Sequence, residues 1–396
     1  MPWKERDVKN LRLEFVLRSF GEKLPFTVLC REYGIQTKTG YKWRQRFLEE
    51  GAAGMEDRSR RPDTHPNQLR EDVVCEMVRL KTAHLKWGPR KIRELYARKH
   101  PGVDLPSESS FKRVLKKAGL VQKRRRRRSR DGGRLQNRAV SEQPNDVWTV
   151  DFKGWWYTPG GERCEPLTVR DDYSRYVLCA SVPGNARHET VRGEFERLFD
   201  KHGLPGTIRS DNGAPFAAAQ APLGLSRLSA WWLVLGIDLD RIDPGCPSQN
   251  GGHERMHRDI AGELERQVEG DLRQQAAALE TWRRIFNEER PHEALGMRCP
   301  AELYRNSRRR YEGTPERLTY PRGYLERKVQ LRGQIQIEGA AILLSRALAG
   351  WNVGLNPSGA SAYSVHFGRL CLGRLDLETE SFLPIACVRM DATKRK

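Results

Sequence analysis

The stretch VWTVDFKGWWYT at residues 147–158 decides how the middle of this chain is interpreted. It is rich in β-branched and aromatic residues and partly alternates, so we predict one strand that contains Asp151. A carboxylate inside a strand, between Val150 and Phe152, is unusual because most aspartates lie on the solvated surface. Asp151 is therefore the first candidate for a functional residue.

The elements predicted after this strand follow the order β-β-α-β-α-β-α, which indicates a mixed sheet with helices packed on it. The predicted strands are 166–170, 176–182, 207–210 and 237–242, and the predicted helices are 188–202, a longer amphipathic one within 217–236, and one from about 253.

Two more acids lie at ends of predicted elements. Asp211 follows the strand 207–210, and Glu254 lies in the first turn of the helix near residue 253. Carboxylate oxygens are the ligands that Mg²⁺ prefers, and paired ions stabilise both oxygens of an in-line phosphoryl displacement. Asp151, Asp211 and Glu254 could thus serve phosphoryl transfer, although Asp211-Asn212-Gly213 alone fits a plain turn equally well.

The charge of the chain is strongly asymmetric. Lys and Arg number 71 against 51 Asp and Glu, a formal net charge of +20. Residues 1–138 hold 36 of the basic and 17 of the acidic residues, so they carry +19 and the remainder only +1. A basic field confined to one end of a chain indicates a polyanionic partner, with nucleic acid as the default.

The basic third contains two predicted helix-turn-helix units and a run of arginines. Helices predicted within 7–51 end in one at about 37–50, and a second set lies at about 70–82, 91–100 and 111–118. The predicted DNA contacts are Lys38, Lys42, Arg44, Arg46, Lys112, Arg113, Lys116, Lys123, Arg124, Arg125, Arg126, Arg127 and Arg128. Small helical bundles with solvated basic faces, and a plain linker or localisation signal in the arginine run, remain the alternatives.

Several segments together resemble one family. They are WTVDFKG (148–154), DDYSRY (171–176), IRSDNGAPF (208–216), PGCPSQNGGHERMHR (244–258) and FNEERPHEALGMRCPAELY (286–304), with GAAGMEDRSRRP (51–62) upstream. They are similar to bacterial insertion-sequence transposases of the retroviral-integrase-like DDE superfamily. One departure is the 42 residues between Asp211 and Glu254, which exceed the commonest spacing in that superfamily.

The resemblance implies a multidomain α/β protein whose RNase H-like core carries Asp151, Asp211 and Glu254 as a triad for two Mg²⁺ or Mn²⁺ ions. It implies a DNA transposase that binds the terminal repeats of its element, cleaves DNA 3′ ends and joins them to target DNA, as a homo-oligomer assembled on double-stranded DNA. The expected domains are helix-turn-helix units at 1–55 and 66–121, a basic linker at 122–143, the core at 144–305 and a small β-barrel at 320–390.

Two alternatives stay open. His253-Glu254-Arg255-Met256-His257 matches HExxH, which would predict a zinc metalloprotease, although no third zinc ligand is evident downstream. A catalytically inactive DNA-binding regulator with the same fold is the other. In the preferred interpretation Arg258, four residues after Glu254, shares its helix face and contacts a DNA phosphate.

The resemblance implies a bacterial protein associated with the nucleoid, and the remaining features predict a cytoplasmic location. No apolar run approaches the roughly 20 residues of a membrane span, and the N-terminus lacks the apolar region of a secretion signal. The eight cysteines are scattered without a CxxC pair, which argues against a structural zinc site and against a disulfide framework.

Overall fold

The computed structural model describes residues 7–21, 24–58, 68–121, 139–218, 221–243, 246–265, 268 and 270–385. The chain divides into two compact units, Met1–Arg70 and Glu71–Lys396. None of the helices in these described ranges is long and apolar enough to cross a lipid bilayer.

The first unit is a small helical domain. Its helices are α1 (Val8–Gly21), α2 (Phe26–Glu32) and α3 (Thr37–Glu50). Phe15, Leu29 and Trp43 form its core. Gly40 lies buried in α3, where an added Cβ would come within 2.7 Å of the Cys30 sulfur and 2.9 Å of the Phe15 ring. This glycine therefore allows α3 to pack directly on α1 and α2.

The second unit begins with another set of helices, namely α4 (Glu71–Ala83), α5 (Pro89–Lys99) and α6 (Glu108–Lys117). The helix predicted at 91–100 begins earlier because Pro89 fits the first helical turn, where no backbone N–H is needed. The Ser107 side chain caps α6 by accepting a hydrogen bond from the Ser110 amide at 3.2 Å.

A mixed sheet of five strands, within the described residues, forms the centre of the second unit. The strands of this region are β1 (Val147–Phe152), β2 (Trp156–Tyr157), β3 (Arg163–Cys164), β4 (Leu167–Asp171), β5 (Val177–Ser181), β6 (Thr207–Ser210) and β7 (Asp238–Arg241). The order is β5-β4-β1-β6-β7, with β1 antiparallel to β4 and parallel to β6. The single strand predicted at 147–158 is wrong: Gly154, at φ +88°, breaks it, and β2 pairs with β3 in a separate hairpin.

Helices cover this sheet: α7 (His188–His202), α8 (Arg227–Val234), α9 (Gly251–Glu263), α10 (Leu272–Glu288) and the short α11 (Pro300–Leu303). The prediction of a long amphipathic helix within 217–236 is wrong. α8 has eight residues, of which six are buried. Trp231 and Trp232 belong to the core beneath the sheet, whereas Ala230 and Val234 pack into the C-terminal domain, so α8 is covered on both sides.

The C-terminal domain is antiparallel. Its strands are β8 (Leu325–Lys328), β9 (Gln334–Ile337), β10 (Ala340–Leu343), β11 (Asn352–Pro357), β12 (Ala362–Phe367), β13 (Leu370–Asp376) and β14 (Ser381–Pro384). They form a sheet ordered β14-β13-β12-β11-β8 and a separate β9–β10 hairpin. The predicted closed barrel is not confirmed, since in the described residues no strand ladder joins the hairpin to either sheet edge. Ile335, Ile337 and Ile342 instead cover the core by side-chain packing.

Candidate active site

Asp151 and Asp211 are brought together by the pairing of two parallel strands. The register of β1 and β6 runs from Val147 opposite Thr207 to Thr149 opposite Arg209. Asp151 and Asp211 each lie two residues beyond that last pair, so both emerge at the same edge of the sheet. Asp211 also forms the predicted turn, because its carboxylate accepts a hydrogen bond from the Gly213 amide at 3.1 Å. The turn and the catalytic interpretation of this residue are therefore compatible.

Helix α9 is fixed to the same sheet by two histidines. The buried His253 ring bonds Thr149 on β1 through Nδ1 at 2.9 Å and Thr168 on β4 through Nε2 at 2.7 Å. His257 bonds the same Thr168 hydroxyl through Nε2 at 2.8 Å. These contacts hold the first turn of α9, in which Glu254 follows His253, against the strands β1 and β4.

The first turn of α9 approaches a buried cation that sequence reasoning missed. Arg170, on β4, donates to Asp172 at 2.7 Å. A Cβ added to Gly252 would overlap the Arg170 guanidinium, so a larger residue here would displace this buried side chain from its place beside Asp172. The signal for Gly252 was present in the sequence as a Gly-Gly pair, but its partner lies 82 positions earlier in the chain.

The pKa of Asp151 responds to both of the other candidate acids. Burial first, and then the negative charges of Asp211 and Glu254, raise the pKa of Asp151 to about 7, while a hydrogen bond from the Phe152 amide lowers it. Crowding of like charges disfavours ionisation unless a cation relieves it. Within the described residues, no group of three or more His, Cys, Asp or Glu side chains is arranged to hold a metal ion. Carboxylates are nonetheless the ligand type that suits Mg²⁺, which keeps waters and substrate oxygens among its ligands.

The HExxH interpretation disagrees with this geometry. Both ring nitrogens of His253 are engaged by threonine hydroxyls. Burial lowers the pKa of His253 well below its usual range, and that of His257 to about 3. His257 Nδ1 lies 3.8 Å from an Asp151 oxygen. The two histidines thus hold the helix against the sheet as neutral rings, and His253 has no nitrogen left for zinc.

In the first unit, the predicted DNA contacts on α3 fall into two classes. Lys38 and Lys42 are exposed. Arg44 is half-buried with its guanidinium 4.6 Å from the centre of the Phe20 ring, and Arg46 lies 5.0 Å from that of Trp43. The lysines are therefore more exposed than the arginines, although the Lys42 ammonium also lies 4.9 Å from the centre of the Trp43 ring.

In the second unit, α6 presents Lys112, Arg113 and Lys116 to solvent. The neighbouring helix α5 is docked on the catalytic domain, because Arg98 donates to Glu302 at 2.6 Å and to the Met297 carbonyl at 2.9 Å. The predicted contacts of the arginine run, Lys123 to Arg128, lie outside the described residues. Arg258 is exposed on α9.

Comparison with known proteins agrees with this architecture. A helix-turn-helix domain model matches residues 11–62, a homeodomain-like domain model matches 39–115, and two integrase core domain models match 141–247 and 235–300. The fold and site therefore define a helix-turn-helix protein with an integrase core.

Two relatives come from insertion elements. An uncharacterised 39.2 kDa protein of insertion element IS476 from Xanthomonas euvesicatoria is 28% identical over 61% of this chain and 67% of its own length. An uncharacterised 31.7 kDa protein of insertion element IS407 from Burkholderia multivorans is 27% identical over 61% of this chain and 83% of its own. The chain is therefore similar to proteins of bacterial insertion elements, and it carries the helix-turn-helix and integrase core domains expected from its resemblance to insertion-sequence transposases.

Among solved structures, the BIV integrase catalytic core is 22% identical, with coverage of 40% of this chain and 93% of that one and a TM-score of 0.31. The HTLV-2 integrase catalytic core, solved in complex with magnesium, is 14% identical, with coverage of 42% and 100% and a TM-score of 0.30.

Proposed function

We propose that this chain is a transposase that binds the terminal repeats of its mobile element, cleaves the DNA 3′ ends and joins them to target DNA, with Asp151, Asp211 and Glu254 as its catalytic triad. The observation that supports this most is the strand register, which sets Asp151 and Asp211 at one edge of the sheet. The charges of Asp211 and Glu254 both act on the Asp151 carboxyl, and His253, next to Glu254, holds α9 against the same sheet.

The donor set fits two Mg²⁺ or Mn²⁺ ions, held by the three carboxylates, which would stabilise the attacking and leaving oxygens of the displacement. The chain's own part is to supply and orient those oxygens. Asp151 must lose the proton that its raised pKa favours near neutrality. His257 stays neutral beside it, so it adds no positive charge that would compete for the carboxylate.

Exposed cations away from the sheet edge of Asp151 and Asp211 would recognise the DNA. Lys38 and Lys42 on α3, and Lys112, Arg113 and Lys116 on α6, would bind the terminal repeats. Since α5 is docked on the catalytic domain through Arg98, α6 would hold its DNA at a fixed distance from Asp151. Arg258 would contact a phosphate near the cut. We expect a homo-oligomer assembled on two DNA ends, acting on the nucleoid in the bacterial cytoplasm.

The test uses the full chain and the inverted repeats that flank its gene. Asp151→Asn, Asp211→Asn and Glu254→Gln should each abolish Mg²⁺-dependent cleavage and strand transfer while end binding persists. Asp200→Asn, at an exposed acid of α7, is the matched control and should stay active. Wild-type chain that binds ends but never cleaves them would instead establish an inactive DNA-binding regulator.

A further inference from the structure

An exposed aromatic pair lies on the β2–β3 hairpin, immediately after the strand that carries Asp151. Trp155 exposes 50% of its surface and Tyr157 exposes 57%. Among the tryptophans in the described part of the chain, Trp155 alone is this exposed. Leaving two large aromatic side chains in water forgoes burial energy, so their position calls for a partner.

The exposure results from a well-anchored hairpin. Trp156, between the two exposed rings, is 6% exposed and packs into a cluster with Met256 and Ile260 of α9. Because side chains alternate along a strand, burying Trp156 sends its two neighbours outward. The hairpin is thus fixed to the helix that carries Glu254, and the outward rings are held in a defined place.

The surroundings of the pair suit a flat, electron-rich ligand. The Trp155 and Tyr157 ring centres are 5.0 Å apart, edge to face. Arg163 lies opposite Tyr157 across the hairpin, and its guanidinium is 5.3 Å from the centre of the Trp155 ring. Arg163 also forms an ion pair with Glu165 at 2.9 Å, which offsets much of its charge. This platform of two rings and one paired guanidinium favours the face of a nucleobase over a phosphate.

The location relates the platform to the reaction. Trp155 is four residues from Asp151, so their Cα atoms are at most about 14 Å apart. A DNA strand held with a phosphate at Asp151 would place nearby nucleotides within reach of the rings. We propose that Trp155 and Tyr157 stack an unpaired base of the DNA beside the phosphodiester to be cut. This inference rests on the proposed function for the identity of the partner.

Stacking on the platform would strengthen DNA binding by a measurable amount. Base–aromatic stacking contributes enough to change affinity by about 5- to 150-fold per base. That gain would offset part of the cost of opening a terminal base pair, and it is not specific to sequence because every base has an aromatic face. The platform would therefore favour opened DNA ends without selecting among them.

The experiment compares two DNA probes in EDTA, so that cleavage cannot interfere. One is a splayed-arm duplex with 2-aminopurine in an unpaired arm, and the other is the same duplex fully paired. For the full-length wild-type chain we expect tighter binding to the splayed probe and quenching of 2-aminopurine fluorescence. Trp155→Ala should lose about 5- to 150-fold in affinity for the splayed probe only, and Trp155→Phe should recover most of it.

The matched control is Tyr173→Ala. Tyr173 is another exposed aromatic residue, but it follows β4 at Asp171, which pairs with the start of β1 and so lies at the opposite sheet edge from Asp151. It should behave as wild type. Unquenched 2-aminopurine in the wild-type complex, or equal splayed-probe affinity for Trp155→Ala and wild type, would overturn the proposal. A wild-type chain that quenches 2-aminopurine in EDTA but does not cleave element ends in Mg²⁺ would count against the proposed function alone.

Discussion

The two faces of helix α9 differ in burial and in proposed role. On one face His253, Met256 and Ile260 are buried against the sheet and its neighbours. On the other face Glu254 and Arg258, one turn apart, lie in solvent. The motif HExxH therefore divides between a face that positions the helix and a face available to DNA. Residues adjacent in sequence point about 100° apart on a helix, so a linear motif does not establish a shared site.

The largest expected effect is on the outer face. Glu254→Gln removes a carboxylate from the proposed metal site, so cleavage and strand transfer should fall by roughly a thousandfold or more. The free energy of unfolding should change by less than about 0.5 kcal/mol because the side chain is exposed. Cleavage kinetics and urea denaturation check the two expectations.

Glu189→Gln is the control for that variant, since Glu189 is also an exposed acid in the first turn of a helix, α7. It should retain wild-type activity. Activity of Glu254→Gln within tenfold of the control would remove Glu254 from the triad.

The inner face should respond in stability. His253→Ala removes a fully buried ring and leaves the Thr149 and Thr168 hydroxyls without that partner, which should cost about 2–4 kcal/mol of unfolding free energy. His257→Ala, which loses one hydrogen bond to Thr168, should cost less. Urea denaturation measures both. Equal stability of His253→Ala and wild type would contradict the anchoring role.

A third prediction concerns the pH dependence of stability that Asp151, on β1, produces. The pKa of Asp151 is raised to about 7 from its ordinary 3.8, so the folded protein binds the proton more tightly than the unfolded chain. Below about pH 4 Asp151 is protonated in both the folded and the unfolded chain and does not affect the free energy of unfolding. That free energy then falls as the pH rises toward about 7, because the unfolded chain loses the proton more readily. In metal-free protein at about pH 8, Asp151→Asn should be more stable than wild type, by at most about 4 kcal/mol.

The unfolding free energies of wild type and Asp151→Asn, measured by urea denaturation, should converge near pH 4. Mg²⁺ should raise the stability of wild type more than that of Asp151→Asn. A variant less stable than wild type at about pH 8 without metal would contradict the crowding of charge around Asp151.

The smallest expected effect belongs to Arg258. Arg258→Gln should weaken DNA binding several-fold and reduce the slope of log affinity against log salt by about one, because one phosphate contact is lost. Stability should be unchanged. A salt titration of end binding measures this, and an unaltered slope would place Arg258 away from DNA.

Local patterns predicted much of this molecule. The helix expected at 37–50 is α3, and Asp151 lies in a strand as the β-forming residues around it indicated. The break at Gly154 was missed because β-forming residues continue on both sides of it. α8 was misjudged because the C-terminal domain, far along the chain, covers the side that was expected to face solvent.

The role of the histidines could not be predicted because their partners lie far away in the sequence. His253 bonds Thr149 and Thr168, which are 104 and 85 positions away in the sequence. Only the three-dimensional pairing of β1 with β4 brings the two threonines under one ring. The acids are proposed from the sequence alone, since their type and their places at element ends are visible there.

The most direct test of the central claim is a count of Mn²⁺ ions bound by the full chain on its DNA end, by electron paramagnetic resonance. If Asp151, Asp211 and Glu254 form one two-metal site, wild type should bind two ions per active site and each single-acid variant fewer. Two ions retained by Asp151→Asn, Asp211→Asn and Glu254→Gln alike would contradict the claim.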